Sequence, residues 1–425
     1  MIGAGIAGLS AAYELKTAGH DVVVFESDNH VGGRMSTRIK DGFAFDLGAN
    51  FYVTSYTNTR AYCDRFNIPF LPMPGTCYCT KQGELKPLTL QGLGGFLKYD
   101  IISLKSRIKL LLLFARMAHK IKSLDFFDLS RAPKSLDYTN AYDFARKKLG
   151  QYTADYLVDG FTSTYQFHRS REISTTAMLS LIALMSANKE GFTISHAKGE
   201  MSGLAEALAR QVKVNLNTQV TSIESKKDKV QVKTKSRALD FDIVILATTA
   251  DVARNIYKNP SKEQSLLLDA VRYSTTINTS FRIPKDALKG LSIITVPFVE
   301  SSIISEYTNE ANKTVKDGMC LVNVGLHEAF AKTILDRPDK EVYATVQKEL
   351  RRVCPKLKDQ KLIPHDIQRW PQAIPKYMQG FITKVKEFEQ NGQGHKNVYF
   401  CGDYMNAPWV EGTIISAKKV AKLIK

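Results

Sequence analysis

Met1-Ile-Gly-Ala-Gly-Ile-Ala-Gly8 opens the chain, and its reading decides the fold. The three glycines form a Gly-x-Gly-x-x-Gly pattern that runs into Leu9-Ser-Ala-Ala-Tyr-Glu-Leu-Lys-Thr-Ala-Gly19, a strong helix former that stops at a glycine. Asp21 to Glu26 then reads as a buried parallel strand. Val22-Val-Val-Phe25 is continuously apolar, as expected where helices cover both faces, and the acid Glu26 stands at the carboxyl end, eighteen residues after Gly8. Turn, helix, strand and acid together describe a dinucleotide-binding unit. Gly3 permits the tight turn, Gly5 lets the backbone approach a pyrophosphate, and Gly8 lets helix and strand pack closely. The free N–H groups of the helix face the phosphates, and Glu26 accepts the ribose hydroxyls.

Such a unit begins with a central strand, yet only Met1 and Ile2 precede Gly3. Leaving out that strand would orphan buried ladder groups in its neighbours at about 1 to 3 kcal/mol each. The expectation is therefore a truncated first strand whose remainder lies upstream of the given start.

Working outward, Ser27-Asp-Asn-His-Val-Gly-Gly-Arg-Met-Ser-Thr37 adds a second glycine pair, Gly32 and Gly33, and a cation, Arg34, able to neutralise a phosphate from the other side. A nicotinamide enzyme has no need of this block. In Phe43-Ala-Phe-Asp-Leu-Gly-Ala-Asn-Phe51, Gly48 and Ala49 are small enough for a flat ring to pass over the backbone. Residues 84 to 195 look mainly helical and carry no glycine-rich cofactor signal. Strands return at Val212 to Leu216, Gln219 to Glu224, Lys229 to Thr234 and Asp242 to Ala247, and again at Thr275 to Arg282 and Cys320 to Gly325 before a helix from Lys340 to Val353. Near the carboxyl end, Asn397-Val-Tyr-Phe-Cys-Gly-Asp403 is a strand ending in Gly402-Asp403, followed by a helix from Glu411. The positive end of that helix at Gly412 suits negative charge developing on a bound ring.

This order gives an α/β protein. A Rossmann-like domain is built from residues 1–83, 196–262 and 384–425, with an inserted mixed α+β substrate domain from residues 84–195 and 263–383.

Composition narrows the class. The chain has 425 residues, 44% of them hydrophobic and 24% charged, which fits a globular protein and excludes disorder and collagen. Lysine and arginine number 59 against 42 acids, a net charge of +17, but they recur along the chain without a dominant block. That distribution reads as a solvated surface, with no nucleic-acid partner. Six cysteines at 63, 77, 79, 320, 354 and 401 form no Cys-x-x-Cys, so no metal site is expected. Cys401 reads as a buried strand residue with no histidine beside it. Reduced thiols and the want of a signal-like leader point to the cytoplasm.

Ile108 to Ala118 is the most apolar stretch. It is too short to span a bilayer and is set among Lys105, Arg107, Lys109, Arg116, Lys120 and Lys122. It reads as a basic amphipathic helix that covers the substrate domain, with a membrane-surface anchor at the inner face as the alternative and weak peripheral association the most expected of it.

Three separated blocks match one pattern, and nearly the whole chain resembles the flavin amine oxidase superfamily, with protoporphyrinogen oxidases and phytoene desaturases as relatives. The blocks are Gly3 to Gly8 with Glu26 and Gly32-Gly-Arg34, then Gln219-Val-Thr-Ser-Ile223 with Ile245-Leu-Ala-Thr-Thr249, then Phe400-Cys-Gly-Asp403 with Glu411-Gly412. The resemblance implies an FAD-dependent oxidoreductase with non-covalent FAD. Glu26 would hold the adenosine ribose, Arg34 and Gly33 the phosphates, Val220 the adenine edge through its backbone, and Gly402-Asp403 the pyrophosphate–ribityl region. Val410, Glu411 and Gly412 would lie by the pyrimidine edge of the isoalloxazine. The tract Arg369-Trp-Pro-Gln-Ala-Ile-Pro-Lys-Tyr-Met-Gln-Gly380 resembles one that passes near the flavin in protoporphyrinogen oxidases. Asn278 stands where amine oxidases carry the lysine that holds water at flavin N5, and Trp409 could supply one aromatic wall of an amine cage.

The implied reaction is two-electron dehydrogenation of a small organic substrate by hydride transfer from carbon to N5, most like the protoporphyrinogen-type enzymes. An amine oxidase or a carotenoid-type desaturase is the alternative, and a flavin-stabilised binding protein is a third. No catalytic acid or base is assigned, since no triad or carboxylate pair is evident. Neither the electron acceptor nor the oligomeric state is legible.

Overall fold

A computed structural model of the chain describes residues 1–88, 98–121, 123–187, 193–197 and 200–424. Its centre is a parallel layer in the order Lys213–Asn215, Val23–Phe25, Met1–Ile2, Val244–Leu246 and Val398–Phe400. Met1 and Ile2 fill the central position over two residues. Ile2 N–H donates to Ile245 O (3.0 Å), Ala247 N–H to Ile2 O (2.9 Å), Phe25 N–H to Met1 O (2.9 Å) and Gly3 N–H to Phe25 O (2.8 Å). At this level both neighbouring strands are paired, so the buried polar backbone is satisfied.

Two helices cover one face of the layer. Ile6–Thr17 and Val410–Ile424 pack on each other through Ala7, Ala11, Ala417 and Ala421, with Leu15, Val420 and Ile245 in the same cluster. The alanines allow the two backbones to approach closely. An antiparallel meander, Val220–Ser225, Val230–Thr234 and Ala238–Phe241, stands beside the layer. Cys401 is fully buried at the strand end, and burial pushes its thiol up to about 12, in keeping with a strand residue rather than a nucleophile.

The second body is a seven-stranded sheet in the order Ile363–Trp370, Thr276–Pro284, Met319–Leu326, Ile304–Asn309, Leu291–Thr295, Thr76–Lys81 and Glu84–Pro87. Its last two strands form a hairpin that straddles residue 83. Period-two alternation splits the sheet into two unlike faces. Ile277, Phe281, Val322, Val324 and Tyr307 share an outer core with Val342, Val346 and Leu350 of the helix Asp339–Val353. That helix carries Asp339 and Glu341 in its first turn and Arg351 and Arg352 in its last, matching its dipole at both ends. The other face turns toward the nucleotide-binding layer and is polar. Asn278 Nδ2 donates to Leu47 O (2.9 Å), Trp370 Nε1 to the same carbonyl (2.6 Å), and Arg38 to Gln368 (3.0 Å) and Asp366 (3.0 Å).

Between the two lies a helical region in which Leu104–Ile121, Ala141–Leu149 and Thr175–Ala187 share a core of Leu110, Tyr142, Ala145, Leu179 and Ala183, while Gly160–Gln166 packs Phe161 and Tyr165 against the core of the nucleotide-binding body. It is less purely helical than its sequence suggests, because the strands Glu84–Pro87 and Ile194–Ala197 bracket it.

Candidate flavin and substrate site

Backbone geometry builds the first half of the site. Gly3 has φ +99°, and a Cβ there would lie 2.9 Å from Ala247 O; at Gly8 it would lie 2.0 Å from Gly3 O. These two glycines are required by protein packing alone. Gly5 differs, because a Cβ built on it meets nothing nearer than Gly32 O at 4.0 Å, and one on Gly33 meets nothing nearer than Gly5 Cα at 3.6 Å. Protein atoms leave open the space on that side of both loops. The first-turn N–H groups of the helix Ile6–Thr17 point out of this end without intrahelical acceptors. A cradle of glycines and N–H donors suits a pyrophosphate.

Glu26 closes the cradle. Its Oε2 accepts Ala4 N–H at 2.7 Å and its Oε1 accepts Asp28 N–H at 3.0 Å and Ser27 Oγ at 3.1 Å. Thr218 N–H donates to Glu26 O (2.7 Å) and Asn217 N–H to Asp28 O (2.9 Å), which brings the start of the strand holding Val220 beside Glu26. Val220 is buried at a register irregularity of that strand.

Arg34 and Asp403 meet across 369 residues in a two-pronged pair, Nη1 to Oδ2 at 2.7 Å and Nη2 to Oδ1 at 3.0 Å, while Arg34 Nη1 also donates to Ala373 O (2.7 Å). The carboxylate therefore already balances much of the charge expected to meet phosphate. Tyr377 donates its hydroxyl to Asp403 O, so the tract from Arg369 to Gly380 touches both members of the pair. Gly402 N–H donates to Ser416 Oγ (3.0 Å), fixing the strand end to the C-terminal helix.

Within that helix, Gly412 packs against Ala407, where a Cβ would come 2.7 Å from the carbonyl. Val410 is half-buried. The Glu411 side chain turns away from the loop cradle. It accepts five hydrogen bonds from Thr57, Asn58 and Thr59, including the N–H groups of Asn58 (2.8 Å) and Thr59 (2.9 Å), at the amino end of the helix Thr57–Arg65. Any approach of Glu411 to a ring is left to its backbone.

Trp409 is not a solitary wall. Phe126 stands 5.1 Å from it, Tyr165 6.2 Å and Phe161 6.4 Å between ring centroids, and Phe51 packs on Tyr165 at 5.6 Å. Trp370 instead joins Phe43, Phe45, Leu47 and Leu321 in a small core.

Two polar groups that sequence reasoning missed lie on the inner sheet face. Glu306 is 8% exposed, its Oε2 has no hydrogen-bond partner, and burial, with repulsion from Glu310, pushes its carboxyl up to about 8. It lies over Gly325, where a Cβ would come 3.2 Å from its Cγ. On the neighbouring strand Asn323 Oδ1 is likewise buried and unpartnered. Thr164 Oγ1 donates to Ser305 O (3.2 Å), joining the helix that carries Tyr165 to the strand that carries Glu306, which links this edge of the sheet to the Trp409 cluster. The only signal in the sequence is an acid within the otherwise apolar and hydroxylic run Ile303-Ile-Ser-Glu-Tyr-Thr308.

Beside them, Lys313 is buried between Asp46 Oδ2 (2.5 Å) and Glu310 Oε2 (2.6 Å). Burial opposes its charge, yet the two carboxylates hold its ammonium well above the usual lysine range. Asp46 belongs to the strand Phe43–Asp46, which packs on the seven-stranded sheet through Phe43, Phe45 and Leu321, and Lys313 to the loop after Ile304–Asn309, so this pair clamps that strand to the sheet.

Comparison with known proteins gives the family and the fold. The model of the family described as flavin containing amine oxidoreductase matches residues 6–425. The L-amino acid oxidase Cdc18 of Crotalus durissus cumanensis is 24% identical over 462 residues, covering 99% of this chain and 89% of that protein. A 4,4'-diapophytoene desaturase of Staphylococcus aureus (strain Newman) is 54% identical over 48 residues, only 11% of this chain and 10% of its own. Among solved structures, wild-type putrescine oxidase bound to putrescine superposes with a TM-score of 0.77 at 17% identity, covering 100% of this chain and 97% of that one, which speaks to fold alone.

Proposed function

The chain belongs to the flavin-containing amine oxidoreductase family and is an FAD-dependent oxidoreductase, and from that premise we propose that it dehydrogenates a carbon of a small nitrogen-bearing substrate by hydride transfer. FAD supplies the two-electron acceptor at N5. The chain's own residues bind, orient and dry the site. The Gly3–Gly8 loop and the first-turn N–H groups hold the pyrophosphate, with Gly33 close by; Glu26 takes the ribose and the backbone at Val220 the adenine. Arg34 with Asp403 and Gly402 flanks the phosphate–ribityl stretch. The amino end of the helix from Val410, with Glu411 and Gly412, would favour negative charge on the bound ring. Phe161, Tyr165 and Trp409 exclude water from the substrate.

The observation that carries this reading is the convergence of the Arg34–Asp403 pair and the aromatic cluster at the amino end of one helix. A protoporphyrinogen-type substrate is supported by Asn278, whose amide is spent on Leu47 O, so that no lysine ammonium stands at that position, and by the tract from Arg369 to Gly380 touching Arg34 and Asp403. A cationic amine is the second reading, favoured by the unpartnered acceptors of Glu306 and Asn323, which call for an N–H donor.

Anaerobic mixing of the oxidised holoprotein with protoporphyrinogen, a diamine, an L-amino acid and a carotenoid precursor tests both. Bleaching by the first, or by the amines, selects between the readings. Bleaching by the carotenoid precursor alone gives a desaturase, and none at all leaves a flavin-stabilised binding protein.

A further inference from the structure

The helix Leu104–Ile121 carries its apolar residues on two sides. Leu110, Leu113 and Met117 face the helical region and pack into its core. At 100° per residue, Leu104, Ile108 and Leu112 fall on one stripe of the opposite side, and they are 56%, 48% and 52% exposed. A solvent-facing stripe of three large aliphatic side chains has no use in a helix that merely covers a domain.

The surroundings of the stripe say what would cover it. Lys105, Lys109 and Arg116 are exposed along its flank, and the helix contains no acidic residue. An apolar strip with a cationic border matches a surface that is apolar within and anionic at its boundary, the cross-section of a bilayer rich in acidic lipids. Among the described residues no helix is long and apolar enough to cross a membrane, so the contact would lie in the plane of the interface.

A second observation gives this orientation a purpose. Just past the carboxyl end of the helix is a cleft of about 510 Å³ bordered by Leu124, Phe126, Ala183 and Leu184, and the ring of Phe126 reaches Trp409 at 5.1 Å. A helix lying on a lipid surface would therefore hold this cleft near that surface, one aromatic ring away from the proposed substrate site.

We propose that the Leu104–Ile121 helix is an interfacial anchor that docks the protein on an anionic lipid surface through Leu104, Ile108 and Leu112, with Lys105, Lys109 and Arg116 paired to acidic headgroups. The docking itself does not depend on which substrate is oxidised.

The test is sedimentation of the FAD-loaded protein with vesicles of phosphatidylcholine, either pure or containing about a quarter phosphatidylserine. Partitioning onto the anionic vesicles should exceed that onto the neutral ones by more than tenfold. Added salt should weaken it without abolishing it, because the aliphatic contact is not screened. K105E/K109E should bind at least about 25-fold more weakly, at about fivefold for each lysine charge lost. I108S/L112S should lose the salt-resistant part. All four positions are exposed, so both variants should melt with the parent. Equal sedimentation of parent and both variants, or no sedimentation of the parent, would overturn the proposal. So would a parent that is a dimer in solution and becomes monomeric in I108S/L112S, which would make the stripe a contact between copies of the chain.

Discussion

Glu306→Gln is the perturbation that reports most directly on the inner face of the substrate sheet. In the unfolded chain this carboxyl loses its proton near pH 4.5, whereas in the fold it keeps it up to about pH 8. Between those limits the native state binds the additional proton, so stability falls as pH rises, by at most about 1.4 kcal/mol per pH unit. Below pH 4.5 both states are protonated and the term vanishes. Above pH 8 both are ionised and the cost is constant, on the order of 5 kcal/mol before relaxation and water entry reduce it; we expect about 2 to 4. Glutamine has the same shape and no proton to lose. The variant should therefore match the parent in thermal melts at pH 4.5 and exceed it by several degrees at pH 8.5 in the presence of excess FAD. Parallel melting profiles across that range would refute the reasoning. A ligand arm sharpens it: a diammonium compound that pairs with Glu306 must ionise it, so binding at pH 7 should release close to one proton from the parent and none from Glu306→Gln, read by calorimetry in two buffers of different ionisation enthalpy. A neutral pyrrolic substrate would release none from either.

Glu26→Ala removes the acceptor of the Ala4 and Asp28 N–H groups as well as a ribose partner, and should weaken FAD binding by about 1.5 to 3 kcal/mol; an unchanged FAD titration would remove Glu26 from the site. Lys313→Met leaves Asp46 and Glu310 buried without their cation and should cost about 3 to 5 kcal/mol in urea unfolding, most of it recovered on adding Asp46→Asn and Glu310→Gln; a single variant as stable as the parent would show that the clamp contributes little. Acid precipitation should leave FAD in a yellow supernatant, and colour held in the pellet would contradict non-covalent binding.

The nucleotide-binding half was legible because its glycines answer to local backbone geometry. Gly3 and Gly8 each have a carbonyl where a side chain would go, and Glu26 sits where a strand end meets that turn. The helix Asp339–Val353 was legible for a similar reason, its period and its end charges being written in consecutive residues. The substrate half was not. Its sheet collects strands from residues 76 to 370, and two of them, Leu291–Thr295 and Ile304–Asn309, lack a clean alternation because both faces are covered, while the edge strand Ile363–Trp370 is half-exposed along most of its length. The partners of Trp409 come from separate segments that only tertiary packing brings together. For Glu411 the sequence placed the residue by its motif but could not show that its carboxylate serves a helix 352 residues away. Nor could it tell which side of the basic helix faces inward, since both sides are apolar.

The pairing of Ile2 has a consequence for how the chain is made. One neighbour, Phe25, follows it closely, but the other, Leu246, emerges from the ribosome roughly 220 residues later, an interval of about 10 to 45 seconds at ordinary rates of synthesis. For nearly all of that time the growing chain carries a two-strand sheet with both edges unprotected, since Lys213–Asn215 is also made late, and an alanine-faced helix whose partner, Val410–Ile424, is still further off. The nucleotide-binding half must therefore wait for the completion of the segment inserted within it. A holdase supplied during translation should raise the soluble yield of this protein more than the same holdase added to refolding of the finished chain.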